Sequence, residues 1–316
     1  MLSVFGNSFD ESDLDGLRQV MATHLVGMGE VTTRFEKTFA SLVGFPHGIA
    51  TNSCTNSFWL ICHALKLTIQ DQVLMPNIHF FGVRGVLRLF GVEPTVVDVD
   101  PLTPNVNIEA LKKAITPYTR MIILLEYGGY PCNSGEIKKY LETINRQDIL
   151  LVLDAANSPF TQRNNIYTAI DYDIAVYSFD MNKILSIGDG GMILVKDSQL
   201  AEKLKSLSYY GISDLHKSGF QKAKEGGIWW EVDAKTPSLK LPMNNLAASL
   251  GLTQLAKMDA NLQKRKILLD GYLARLSSFK DLIYPAQDST IKNNLYLFWL
   301  HLEDEATRNR LAKFFL

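Results

Sequence analysis

Cysteine is scarce in this chain. Cys54, Cys62 and Cys132 are the only three, and no two share a metal-ligand or redox spacing. They fit free thiols in a reducing cytoplasm, and no metal site is expected. Long apolar runs are also missing. The longest are strand-sized, which excludes a membrane-spanning helix. Charge of one sign is nowhere concentrated. Thirty-two basic residues face 33 acidic ones, so nucleic acid and anionic membrane are poor partners. The segment Met1 to Asp15 is acidic and lacks the apolar core of a signal peptide. Neither an internal repeat nor a low-complexity tract is present.

What is present is a globular composition. Apolar residues make up 47% and charged residues 21%, as in an ordinary soluble protein. A chain of 316 residues suits one large and one small domain. From residue 48 to 195, short apolar runs alternate with helical patterns. The runs are Gly48 to Thr51, Gln72 to Met75, Thr95 to Asp98, Met121 to Leu125, Ile149 to Asp154, Ile174 to Phe179 and Met192 to Val195. Several are apolar at successive positions, as strands covered on both faces should be. Helical spacing falls between them at Thr55 to Lys66, Phe80 to Phe90, Ile108 to Ile115 and Ser134 to Ile144. The alternation predicts an α/β fold with a mostly parallel seven-stranded sheet and helices on both faces. The last two runs are too close for a crossover helix and are expected to pair antiparallel. Gly211 to Pro242 reads as a long loop, with Gly219, Gly226-Gly227, Trp229-Trp230 and Pro237. Long helices are expected over Asn244 to Met258 and Asp259 to Ser277. A short strand is expected over Leu295 to Leu302, and a last helix from Glu303.

Chemistry concentrates at the ends of the predicted strands, where open α/β sheets bind ligands. Lys183 follows Ser178-Phe179-Asp180-Met181-Asn182 and precedes Gly188-Asp189-Gly190-Gly191. A lysine placed just past a buried strand can present its amine to a carbonyl, the chemistry by which pyridoxal phosphate (PLP) is held. Asp154 ends the run Ile149 to Leu153 and needs a partner if buried. A pyridinium nitrogen is one such partner; capping of the next helix is the other reading. A charge pair at about 4 Å contributes roughly 4 kcal/mol at an effective dielectric of 20, about three pKa units. Ser53-Cys54-Thr55 opens a helix, a place suited to phosphate but equally to an ordinary cap. Ser178 could reach the same phosphate or simply bond to backbone. Phe80 could stack on a ring or pack in the core.

Taken together, these blocks resemble the DegT/DnrJ/EryC1/StrS sugar aminotransferases, which have the PLP fold-type-I architecture. The resemblance covers nearly the whole chain. It rests on Gly29 to Ala40, Asn52-Ser53-Cys54-Thr55, Tyr127 to Cys132, Asp154-Ala155-Ala156-Asn157, Ser178 through Gly191, and Leu241 to Asn245 leading to Gly251 to Leu255. Cys54 stands where Gly is usual, and Asp189 where Glu is common. The resemblance implies a large PLP-binding domain over residues 1–240. Residues 241–316 would hold interface helices and a shortened small α+β domain. It implies that Lys183 forms a Schiff base with PLP and then moves the proton between Cα and C4′. Asp154 would pair with the pyridine nitrogen. Thr55, Ser178 and the Cys54 amide, in the turn begun by Ser53, would hold the phosphate. Phe80 would stack on the ring and Asn157 would lie near its hydroxyl. Lys240 would reach the phosphate of a neighbouring subunit, implying a homodimer with shared active sites.

By the same resemblance, the reaction moves an amino group from glutamate or glutamine to a keto-sugar nucleotide, in the cytoplasm, for surface polysaccharide such as lipopolysaccharide or for natural-product sugars. The family's sugar deoxygenating members carry His in place of the lysine, and Lys183 argues against that branch. The family's usual His-rich, Pro-containing segment does not follow Leu316. Its absence motivates a second reading, a non-catalytic or regulatory protein of PLP fold or a subunit of a hetero-oligomer. It also leaves Phe314 and Phe315 as expected exposed apolar surface. A third reading keeps PLP and changes the reaction, for example to a lyase acting on an amino acid.

Overall fold

The computed structural model describes residues 9–100, 102–212, 234, 236–279, 282–285 and 288–315. Two helices, α1 (Glu11–Ala22) and α2 (Glu30–Val43), precede the first strand, β1 (His47–Thr51). Strands and helices then alternate: α3 (Cys54–Leu65), β2 (Gln72–Pro76), α4 (Phe81–Leu89), β3 (Thr95–Val97), α5 (Ile108–Ala114), β4 (Thr119–Leu125), α6 (Ser134–Thr143) and β5 (Leu150–Asp154). A hairpin of β6 (Gln162–Arg163) and β7 (Ile166–Tyr167) interrupts them before β8 (Ile174–Ser178), β9 (Gly191–Val195) and α7 (Ser198–Ser208). The chain ends in α8 (Asn245–Ala256), α9 (Met258–Leu276), β10 (Ile291–Lys292) and α10 (Glu305–Phe315).

Seven strands form one sheet in the order β1-β9-β8-β5-β4-β2-β3. β2, β3, β4, β5 and β8 are parallel, and β9 runs against both β8 and β1. The antiparallel β8–β9 pair is the one expected from their short separation.

The sheet holds because its strands are apolar on both faces. In β4, Ile122 and Leu124 face the core layer of α2, α5 and α6, while Met121 and Ile123 face that of α3, α4 and α7. β5 divides Leu151 and Leu153 from Val152, and β8 divides Ala175 and Tyr177 from Ile174 and Val176, in the same way. This is the two-residue period of a strand with a helix layer on each side. Each such side chain stabilises by roughly 1.5–3 kcal/mol when fully buried. On the α2 side, Phe35, Phe39, Tyr177 and Phe179 interlock edge to face or tilted. That cluster anchors Phe179, and with it the backbone leading to Lys183. α8 packs against α1 and α2.

One expectation needs correction. Leu295 to Leu302 is not a strand; among the described residues its backbone pairing is limited to one isolated bridge, Ile283 to His301. Leu295 sits at φ +59, a left-handed conformation that breaks an extended run. The strand that does form nearby is β10, paired to β6. The β6–β7 hairpin was not anticipated, although it carries a signal. Asn164 and Asn165 both take positive φ at its tip, as a two-residue hairpin turn requires. Of the expected loop Gly211 to Pro242, the part with Gly219, Gly226-Gly227 and Trp229-Trp230 lies outside the described residues. Phe314 and Phe315 are exposed. Among the described residues no helix is long and apolar enough to cross a membrane, and all three cysteines are free.

Candidate functional site

The strand registers assemble the site. β1 and β8 end on either side of the start of β9, so Thr51, Gly191 and Ser178 lie in one row. Gly191 has no room for a side chain: a Cβ there would stand 2.7 Å from Thr51 Oγ1 and 2.8 Å from the Cys54 amide nitrogen. The missing side chain brings the start of α3 down onto the sheet edge. Ser53 is the N-cap of α3 and its hydroxyl accepts from the Asn56 amide at 3.1 Å. The Cys54 and Thr55 amides fall in the first turn, where no intrahelical acceptor exists for them. The macrodipole adds a positive bias there. Ser178 is buried, and its Oγ accepts only a long 3.5 Å bond from the Asp180 amide.

Asp154 ends β5 next to β8 and is 3% exposed. Its Oδ1 accepts from the Ala156 amide at 3.0 Å. Its Oδ2 stands 3.3 Å from Nε2 of His79, whose side chain is 2% exposed. The contact is within ion-pair distance but is not aligned as a hydrogen bond, and His79 Nε2 has no hydrogen-bond partner. Asn182 Oδ1, beside Lys183, is likewise buried without one. Orphaned buried polar atoms are costly, and a polar ligand would satisfy them.

Lys183 follows a turn in which its amide donates to the Asp180 carbonyl at 2.9 Å. Its Nζ donates to the Tyr296 hydroxyl at 3.1 Å. Burial pushes the Cys54 thiol well above its ordinary pKa. The Asp154 charge adds to that rise, and the Lys183 charge opposes it. Cys54, Asp154 and Lys183 therefore share one electrostatic neighbourhood. Phe80 is the N-cap of α4, 59% exposed, with its ring 4.4 Å from that of Phe81. A Cβ on Gly82 would meet both the Phe80 ring and Thr55 Oγ1, which places Phe80 next to the α3 turn. Asn157 is half-buried, and its carbonyl accepts from Asn294. Lys240 is exposed, with Nζ 5.9 Å from the centre of the Tyr209 ring, and the carbonyl of the next residue, Leu241, accepts from the Asn52 amide.

The structure thus brings Ser53, Cys54, Thr55, Phe80, Asp154, Ser178 and Lys183 to one end of the sheet. This donor set fits PLP: a buried carboxylate for the ring nitrogen, an amine for the aldehyde, and helix-start amides with hydroxyls for the phosphate. Among the described residues no group of three His, Cys, Asp or Glu is placed to hold a metal ion.

Sequence reasoning missed three residues here. His79 carried a usable signal, a polar residue three positions after β2 and one before Phe80. Tyr296 carried none, being 113 residues from its partner. The third is Glu126, at the end of β4 beside the Leu125–Asp154 pairing. It is fully buried, and its oxygens accept from Thr168 at 2.9 Å and Tyr172 at 3.3 Å. Burial raises its pKa from 4.5 to about 7, and the two hydroxyls only partly oppose that. The folded state thus holds this proton over a range where the unfolded chain has lost it. The associated stability is complete below the unfolded value, declines as pH rises, and is lost above about 7. Glu126→Gln is expected to exceed the wild type in stability at roughly pH 8 by up to about 3 kcal/mol, with the gap closing near pH 5. Denaturant melts at the two pH values check this; a gap independent of pH would refute it.

The sequence profile of the DegT/DnrJ/EryC1/StrS aminotransferase family matches residues 7–315. A dTDP-4-dehydro-2,3,6-trideoxy-D-glucose 4-aminotransferase of Saccharopolyspora spinosa is 31% identical over 305 residues, covering 95% of this chain and 77% of that protein. The crystal structure of the aminotransferase TlmJ from Streptoalloteichus hindustanus superposes with a TM-score of 0.88 at 28% identity, covering 99% of this chain and 81% of that one. A GDP-4-keto-6-deoxy-D-mannose-3-dehydratase of E. coli with bound hydrated PLP gives 0.86 at 20% identity, covering 99% and 82%. At that identity the likeness is one of fold alone.

Proposed function

Since the chain belongs to the DegT/DnrJ/EryC1/StrS aminotransferase family and is a PLP-dependent enzyme, we propose that it moves an amino group from glutamate or glutamine to a keto-sugar nucleotide. The observation that carries this reading is the convergence of Lys183, Asp154 and the α3 turn on one end of the sheet. The product would serve surface polysaccharide or natural-product sugar assembly.

The cofactor, when bound, supplies the carbonyl that exchanges amines and an electron-poor ring that takes up the charge released at Cα. The protein's part is binding, placement and proton transfer. Lys183 Nζ would hold the cofactor through its aldehyde carbon and, when not so engaged, would serve as the base and acid at the substrate's Cα. Asp154 keeps the ring nitrogen protonated through its charge, and its Ala156 bond fixes the carboxylate plane. The Cys54 amide, Thr55 and Ser178 hold the phosphate, with Ser53 shaping their turn. Phe80 would cover a ring face, and Asn157 would serve the ring hydroxyl. Lys240 serves the phosphate of a second copy in a homodimer. A cleft of about 510 Å³ is lined by Ile78, one residue before His79 in the chain, and by Asp100, Tyr127 and Trp299 among others. Its volume suits a sugar-sized acceptor.

The test is a visible spectrum of the protein with PLP, before and after glutamate. A band that bleaches with glutamate and returns with a keto-sugar nucleotide is the expected result. A band that forms and ignores both glutamate and glutamine would sink the donor assignment and favour another reaction at the same residues.

A further inference from the structure

The segment 293–296 is tied to other parts of the chain at several points. Asn294 is 1% exposed, and its Nδ2 donates to the carbonyls of Asn157 at 3.0 Å and Pro159 at 2.9 Å. Its Oδ1 accepts from the Tyr296 amide at 3.0 Å. The Leu295 carbonyl accepts from Arg265 Nη1 on α9 at 3.0 Å. Leu295 itself is held at φ +59, a strained conformation for a non-glycine residue that persists only where surroundings over-determine it. The turn Tyr127-Gly128-Gly129 makes room for this strap. A Cβ on Gly129 would lie 2.1 Å from Asn294 Oδ1, and one on Gly128 would lie 3.1 Å from the Leu297 carbonyl oxygen.

The strap ends in a specific contact. Tyr296 accepts a hydrogen bond from Lys183 Nζ at 3.1 Å, and the amine also lies 4.6 Å from the ring centre. A tyrosine thus offers both its oxygen and its ring face to one amine. Asn294 reaches the loop that begins three residues after Asp154, so the same strap touches both sides of the pocket.

From this geometry we infer that Tyr296 is a positioning residue for Lys183. It holds the amine at the pocket whenever Nζ is not bonded to the cofactor. It forms no covalent bond and keeps its own proton. This rests on the proposed role of Lys183, but the hold itself is a property of the protein without cofactor and is tested there.

Reductive methylation of the cofactor-free protein, read peptide by peptide by mass spectrometry, measures the availability of Lys183 against Lys313. Tyr296→Phe keeps the ring and removes the oxygen. It is expected to raise the Lys183 rate about tenfold relative to Lys313, with the melting temperature unchanged. With PLP loaded, the same variant should slow the half-reaction with the amino donor about tenfold and leave the donor concentration at half-saturation unchanged. A Lys183 labelling rate within twofold of wild type in a folded Tyr296→Phe protein overturns the inference. Should that variant not fold, Arg265→Leu decides in its place. It loosens the strap at Leu295 and leaves Tyr296 intact, so an unchanged Lys183 rate there overturns the inference and a raised one supports it. If wild-type protein takes up no PLP, the functional reading fails while the labelling result still judges the hold.

Discussion

Lys183→Ala is expected to abolish the visible band of the PLP-loaded protein and to lower transamination by about 10⁴-fold. The size follows from two losses at one atom. On the proposed reading the amine would both attach the cofactor and carry the proton at Cα, and Lys183 is the lysine whose charge acts on Cys54 beside that of Asp154. The fold should survive, because Lys183 is half-buried and, among the described residues, its charge has no carboxylate partner to strand. Retention of PLP should weaken without vanishing, since the α3 turn and Asp154 remain. A full-strength band in the variant would show that another lysine makes the attachment, and the assignment of Lys183 would fall.

Asp154→Asn is expected to produce the second largest loss, about 10³-fold in turnover, with PLP still bound. The substitution keeps an oxygen for the Ala156 amide and removes the charge. A lost charge pair of roughly 4 kcal/mol at about 4 Å corresponds to about three decades of rate. The Cys54 thiol provides an independent check, because the Asp154 charge is one cause of its raised pKa. In the variant that thiol should react with an alkylating agent at a lower pH than in the wild type. Near-normal turnover together with a shifted thiol would mean that the charge was removed and did not matter to catalysis.

The fold was legible because its signal is local and repeated. Runs such as Met121 to Leu125 and Ile149 to Asp154 are apolar at successive positions, which only a strand covered on both faces accommodates. The positions of Lys183 and Asp154 were legible for a related reason: polar groups at or shortly after the end of such runs fall near strand ends by construction. Segment 295–302 was misread because its apolar residues match a strand while Leu295 takes a left-handed conformation set by Asn294 and Arg265. His79 was passed over beside Phe80, although its Nε2 stands 3.3 Å from the Asp154 carboxylate.

The sequence by itself determined the alternating strands and helices, the reversal at β9, and which short blocks hold the reactive groups. These depend on patterns within a few residues. Only the tertiary structure decided that Thr51, Gly191 and Ser178 form one row, that His79 faces Asp154, that Glu126 is sealed beside them, and that Tyr296 meets Lys183. Those contacts join segments up to 140 residues apart, as between Thr51 and Gly191, and 113 apart between Lys183 and Tyr296. They are fixed by sheet order and by side-chain packing between elements, and no window of the chain contains both partners.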